Sequence, residues 1–383
     1  MAQKTNLILS WSGLVLIVFI FFEVSSYIVY SFVLQPGAKF LVYEAPNPLK
    51  ETRYERYLQE RHEVIGWPQK KELFTSRPTP SFPVAGNEKI SLYGDSFVFG
   101  LEVGDAEAWG NILSDKLKFR IANFGVSGYG TDQAYLRFKL NKGDSAETTI
   151  LGILPQNVLR NVNQYRFCLT GEELYGFKPR FILEDGALVQ IPIPTIPFEE
   201  LPTLYREPAQ YLKHETFLPD SEYGPARMSF PFSFALSRLV MRERILNWIT
   251  DKPSWQSFLQ PGHESQSMEL TSAIAAAFKK ECDRRNKKFA LIIFPTVSSY
   301  KWYSETGSLI TQSFIHDLQQ KGIRVLDLTK GFKEKLKDRN YCEVLTRTEI
   351  CKGHFNEEGN RIVAEIMFDF LQAEDWAKET DIP

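Results

Sequence analysis

The sequence predicts an α/β protein: a parallel sheet covered on both faces by helices, with a membrane-spanning helix before it and an irregular insertion within it. Three observations lead there. From residue 88 on, short runs that are apolar throughout alternate with stretches of helical spacing. Residues Thr5 to Phe22 carry no charged side chain. Between residues 166 and 264 the alternation stops and prolines accumulate.

The apolar N-terminal run is long enough to cross a bilayer as a helix. It lacks a small-x-small cleavage site and exceeds the apolar core of a signal peptide, so an uncleaved anchor over residues 1–35 is expected. Glu23 ends the run, and an acid there either reaches water or finds a partner. Residues 36–87 are polar and proline-bearing, with RPTPSFP near their end, and read as a connecting segment.

The folded domain is expected over residues 88–375. Its strand candidates are ISLY (90–93), FRIANF (119–124), TTILGIL (148–154), FALIIF (289–294) and IRVLDL (323–328). Trp109, Ile112, Leu113 and Leu117 have helical spacing, a further helix starts near Thr131, and another lies between Met268 and Phe278. Ile362, Val363, Ile366, Met367 and Phe370 mark one face of a last helix. Within the insertion, Pro192, Pro194, Pro197, Pro202 and Pro208 exclude regular helix, and an amphipathic helix follows from Phe234 to Ile249.

Composition excludes some functions. Net charge is −2 over 383 residues, so no basic excess points to nucleic acid. No HExxH, CxxC pair or GK[ST] loop is present, so no metal or cofactor is expected. Cys168, Cys282, Cys342 and Cys351 form an even set, and the last two are spaced to close a short loop, as suits an oxidising compartment. Lys39, Lys50 and Arg53 follow the apolar run, so the positive-inside count does not favour an outside location.

Ser96 is the candidate nucleophile. In YGDSFVFG it follows a strand and a tight glycine turn, at the strand end where α/β sheets bind ligands. A serine hydroxyl needs a base. His354 fits, because it lies in CKGHFNEEGN directly before the last helix, where Asn356 can cap and Glu357 and Glu358 suit the positive end. His62, His214, His263 and His316 have no comparable setting. Acyl transfer also needs oxyanion donors. Gly128, in NFGVSGYGTDQ, and Asn157, in ILPQNVLRN, follow the second and third strands and would converge with Ser96 at one sheet edge. Asp95 is expected to bond the turn rather than to react.

These blocks, in this order, resemble the SGNH (GDSL) hydrolase superfamily: GDSF with Ser96, the glycine block with Gly128, QNVLRN with Asn157, and GHFNEEGNRIVAE with His354. The resemblance covers roughly residues 88–165 and 265–372, and GDSFVFGLEVGDAEAWGNIL, GYGTDQAYLRF and KPRFILEDGAL look like a membrane-anchored bacterial subset. It implies a flavodoxin-like three-layer sandwich. Ser96 would be nucleophile, His354 base, and Ser96, Gly128 and Asn157 the oxyanion hole. Two positions depart from the pattern. Cys351, followed by Lys352, stands three residues before the histidine where an aspartate is usual, which leaves Glu349 or a backbone carbonyl to hold the imidazole. Val158 also replaces a common aspartate.

The expected function is hydrolysis of O-acyl esters, acetyl first, of an envelope carbohydrate or lipid. The enzyme would be a single-pass membrane protein with its catalytic domain outside the cytoplasm. Two other readings follow from the same residues: an O-acyltransferase of cell-surface polysaccharide, and a catalytically weak scaffold subunit of polysaccharide assembly. The anchor makes the membrane a partner; protein partners are not legible.

Overall fold

A computed structural model describes residues 2–47, 49–69, 72–172 and 176–376. Its described chain forms two compact units. One holds the N-terminal segment to residue 50 with Tyr165–Gly176 and Ile196–Ser254; the other holds Glu51–Gln164, Phe177–Thr195 and the chain from Trp255 on.

The larger unit is built on a five-stranded parallel sheet. Its strands are β1 (Ile90–Gly94), β2 (Ile121–Asn123), β3 (Thr148–Ile153), β4 (Lys288–Ile293) and β5 (Arg324–Asp327). Their order is β2-β1-β3-β4-β5, every pair parallel. This is the doubly wound, flavodoxin-like order, whose switch point lies beside the first strand. Alternation along β1 explains the two covered faces. Ile90 and Leu92 pack with Trp109, Leu113, Val363 and Met367 on one side. Tyr93 points to the other, where Phe138 and Phe278 stack at 4.5 Å between ring centroids. The apolar side chains of β1 to β4 are therefore buried, as the sequence indicated, while those of the edge strand β5 are half-buried.

The smaller unit centres on the helix Ala2–Val29, which continues through Tyr30–Leu34 to Gly37. From Trp11 it is long and apolar enough to cross a membrane, and most of it is exposed. Glu23 has found a partner: its carboxylate accepts from the N–H groups of Phe232 (2.6 Å) and Ser233 (3.0 Å) and from the Ser233 hydroxyl. Beyond the helix, Val42 bridges Ala226, and Leu34, Leu41 and Val42 bury Leu239 and Ile245.

Four segments differ from expectation. A short helix, Leu201–Arg206, forms among the prolines that were expected to exclude one, because Pro202 lies in its first turn. Residues from Glu51 to 87 belong to the larger unit instead of merely connecting. Polar composition hid this because their buried groups are hydrogen-bonded: the Gln133 amide donates to Ile65 O, and Arg137 donates to Leu73 O and Thr75 O. Within residues 166–264, Arg180–Glu184 and Ala187–Ile191 form an antiparallel hairpin in the larger unit. The single helix expected from Phe234 to Ile249 is two, Phe232–Val240 and Glu243–Ile249, because Arg242 turns to extended backbone (ψ 141°) and starts a new helix.

Candidate active site

The turn that carries Ser96 is set by close packing. Gly94 ends β1 at φ +154°, and a Cβ there would lie 2.2 Å from Gly152 O and 2.4 Å from Val98 Cγ2, so only glycine fits. Asp95 then caps the short helix Ser96–Phe99, accepting from Phe97 N–H at 2.9 Å. It has the structural role expected of it. Burial pushes its carboxyl up, opposed chiefly by Arg160, whose Nη1 lies 3.1 Å from Oδ2. Ser96, first in that helix, is almost buried.

His354 arrives from the other end of the chain, on Lys352–Phe355, paired antiparallel with Leu345–Arg347. A Cys342–Cys351 disulfide ties the segment before this hairpin to its turn (Cα–Cα 4.7 Å). Asn356 caps the last helix, Glu357–Ala373, by accepting from Gly359 N–H at 3.1 Å, and its amide donates to Glu343 O at 2.7 Å. With both flanks fixed and the Phe97 ring 5.0 Å away, His354 Nε2 lies 2.9 Å from Ser96 Oγ. That is hydrogen-bond reach for a base and its nucleophile.

Gly128 and Asn157 follow β2 and β3 at the same edge. Gly128 adopts φ +78°, and Asn157 opens the helix Asn157–Asn161 and is buried with Oδ1 unpartnered. Arg160 links the blocks: its Nη1 donates to Tyr129 O (2.8 Å), next to Gly128, and to Asp95, next to Ser96. All four blocks thus meet at one sheet edge.

The acid at the imidazole is Glu102, which the sequence reading did not single out. Its Oε1 lies 3.3 Å from His354 Nδ1, and its Oε2 accepts from the Thr346 hydroxyl and, at 3.3 Å, from His354 N–H. Nδ1 is buried and makes no aligned hydrogen bond, so the Glu102 contact is close but off-axis, as is common in unliganded sites. Burial pushes the Glu102 carboxyl up. Thr346, the His354 N–H and the His354 charge outweigh it and hold the carboxyl below its ordinary value. Glu349, the acid offered by sequence proximity, is exposed in the turn before Cys351.

Glu102 sits at φ +72°, an uncommon conformation for a non-glycine residue. Arg77 holds the backbone around it. Its guanidinium donates to Phe99 O (2.6 Å), Gly100 O (2.7 Å) and Val103 O (2.8 Å) and pairs with Asp105 (2.9 Å). On the facing strand, Gly353 stands at φ +97°. A Cβ there would fall 2.1 Å from Thr346 Oγ1 and 3.2 Å from Glu102 Oε2. The one sequence signal was an acid in a glycine-flanked loop just after the nucleophile block.

Among the described residues no group of three or more His, Cys, Asp or Glu side chains is set to hold a metal ion.

No protein-family model and no curated protein matches the chain. Solved structures do. An esterase, EstA, from Pseudoalteromonas sp. is 11% identical, with 74% of this chain and 97% of that one covered at a TM-score of 0.34. A member of the lipolytic protein G-D-S-L family from Veillonella parvula DSM 2008 is 12% identical, with 74% and 97% covered at 0.32. An acetyl xylan esterase from the rumen bacterium Butyrivibrio proteoclasticus is 9% identical, with 78% and 66% covered at 0.35. The sheet order and the Ser96–His354 contact stand on this chain's own geometry.

Proposed function

We propose that this chain is a membrane-anchored serine esterase that hydrolyses O-acyl esters, acetyl first, of an envelope carbohydrate or lipid. The observation that carries the reading is the 2.9 Å contact between Ser96 Oγ and His354 Nε2. In the proposed cycle Oγ attacks the ester carbonyl while Nε2 takes its proton. The Ser96 N–H, the Gly128 N–H and the Asn157 amide hold the oxyanion. Glu102 stabilises the imidazolium from the Nδ1 side. Collapse expels the alcohol, which receives the proton from Nε2, and leaves an acyl-Ser96 ester. A water, deprotonated by His354, then releases the carboxylic acid and restores Ser96.

The location is supported by two features. The helix from Trp11 is long and apolar enough to span a bilayer. The Cys342–Cys351 bond suits an oxidising compartment and outweighs the weak charge count around a very short N-terminal tail. The substrate class rests on the family arrangement and the anchor.

The test is hydrolysis of an aryl acetate by the full-length protein in detergent. Ser96→Ala and His354→Ala should each lower kcat/KM by at least about a thousandfold. Undiminished turnover in Ser96→Ala would sink the proposal.

A further inference from the structure

The two short helices Phe232–Val240 and Glu243–Ile249 belong to the same unit as the N-terminal helix. They bury Leu239 and Ile245 against the segment Leu34–Val42. Their other side is unusual for a soluble surface. Phe230, Phe234, Met241, Leu246, Trp248 and Ile249 are exposed, Met241 at 80%. Large exposed apolar side chains concentrated in one short stretch of chain mark an interaction surface.

What covers this face is indicated by what it joins. Glu23 caps the first helix through the Phe232 and Ser233 N–H groups. The Phe230 ring meets Phe19 edge-on at 6.2 Å, and Phe232 packs with Tyr27 (5.1 Å) and Tyr30 (5.9 Å). The helix pair is thus fastened to the apolar helix at Glu23 and continues its exposed apolar surface. The uncharged run Thr5–Phe22 is about the length that spans the hydrocarbon, so with this run as the span Glu23 stands at the interface. Phe19 lies one turn, about 6 Å, inside that level. This is the depth, about 5–10 Å, at which interfacial helices bury their apolar faces. Arg238 lies over the Phe234 ring at 6.0 Å, and Trp248 sits near the far end of the pair; both types favour the headgroup boundary.

We infer that residues 230–249 form an in-plane membrane element: the lipid bilayer surface is the occupant of this face, and Glu23 is the clamp that sets its depth. The inference rests on the N-terminal helix being the anchor proposed above. It adds a second membrane contact, which would fix how the unit sits on the bilayer.

The experiment uses the full-length protein in vesicles of phosphatidylcholine and phosphatidylglycerol. Nitroxide labels are placed by Met241→Cys, Ile249→Cys, Val15→Cys and, as the aqueous reference, Lys337→Cys. Both free cysteines of the chain, Cys168 and Cys282, are buried, so the added thiol is the one labelled. The ratio of oxygen to water-soluble nickel collisions reports depth. Labels at 241 and 249 should show ratios several-fold above that at 337, approaching that at 15. A lipid-like ratio at 15 with aqueous ratios at both 241 and 249 overturns the in-plane element and leaves the anchor standing. An aqueous ratio at 15 overturns the anchor, and the inference with it.

Discussion

Glu102 Oε1 lies 3.3 Å from His354 Nδ1, although 252 residues separate the two in the chain. A carboxylate beside Nδ1 favours the tautomer that carries its proton there, which leaves Nε2, facing Ser96, as the acceptor. Cys351, in the position where the resembling family has its acid, is committed to a disulfide. The orienting charge instead comes from the loop after the nucleophile helix.

Glu102→Gln should therefore lower kcat/KM for an aryl ester by up to about 10⁴-fold, the loss that follows when a triad acid no longer fixes the tautomer. Glu102→Asp should recover part of this, since it keeps the charge and shortens the reach by one methylene. Thermal midpoints should move little, because the side chain is partly exposed. Wild-type kinetics in Glu102→Gln would mean that another group orients the ring.

Thr346 tunes that acid. Its hydroxyl donates to Glu102 Oε2 and is among the groups holding the carboxyl below its ordinary value of 4.5. A depressed carboxylate keeps its charge above the ordinary value and loses it as pH falls through the lowered one. In Thr346→Val that loss should begin at a higher pH. The acidic limb of log kcat/KM should shift upward, with neutral activity much less affected. Superimposable profiles for variant and wild type would remove Glu102 ionisation from the acidic limb.

The residues that were legible in the sequence and those that were not differ in what fixes them. β1, β3 and β4 are rich in consecutive apolar residues because both faces are covered, so a run of letters sufficed. Ser96 and His354 sit beside a strand end and a helix start, both local signals. Glu102 depends on a positive-φ loop held by Arg77 from a segment that reads as a linker. Arg77 is itself buried through bonds to carbonyls, which composition does not reveal. The partner of Glu23 was likewise hidden, because it is the start of a helix 209 residues away.

The disulfide should matter twice. Cys342 and Cys351 are 9 residues apart and bracket the turn that precedes His354. Chain entropy for a loop of this size gives about 2–3 kcal/mol of stabilisation. The Cys342→Ser/Cys351→Ser double variant should melt at a lower temperature and lose activity through a looser His354 hairpin. If activity survives at a lowered midpoint, the Asn356 cap alone holds His354. An unchanged midpoint would remove the stability claim.

The buried pair Lys178–Asp132 offers the sharpest stability test in the larger unit. Both side chains are fully buried, and Lys178 Nζ donates to Asp132 Oδ2 and, at 2.8 Å, to Pro179 O. Asp132 also accepts from Gln133 N–H at 2.8 Å. The pair ties the chain entering the hairpin to the helix Thr131–Leu140. Burial pushes the Asp132 carboxyl up, and the Lys178 ammonium is the chief opposing cause. Lys178→Met keeps most of the volume and removes that charge, leaving an unpaired carboxylate in the interior. The expected cost is about 3–5 kcal/mol, read as a lower denaturant midpoint. Adding Asp132→Leu should return most of it, because desolvating two charges nearly cancels their attraction. If Lys178→Met alone matches the wild type, Asp132 has taken up a proton at little cost. The pair would then be a hydrogen-bonding device rather than an ionic one.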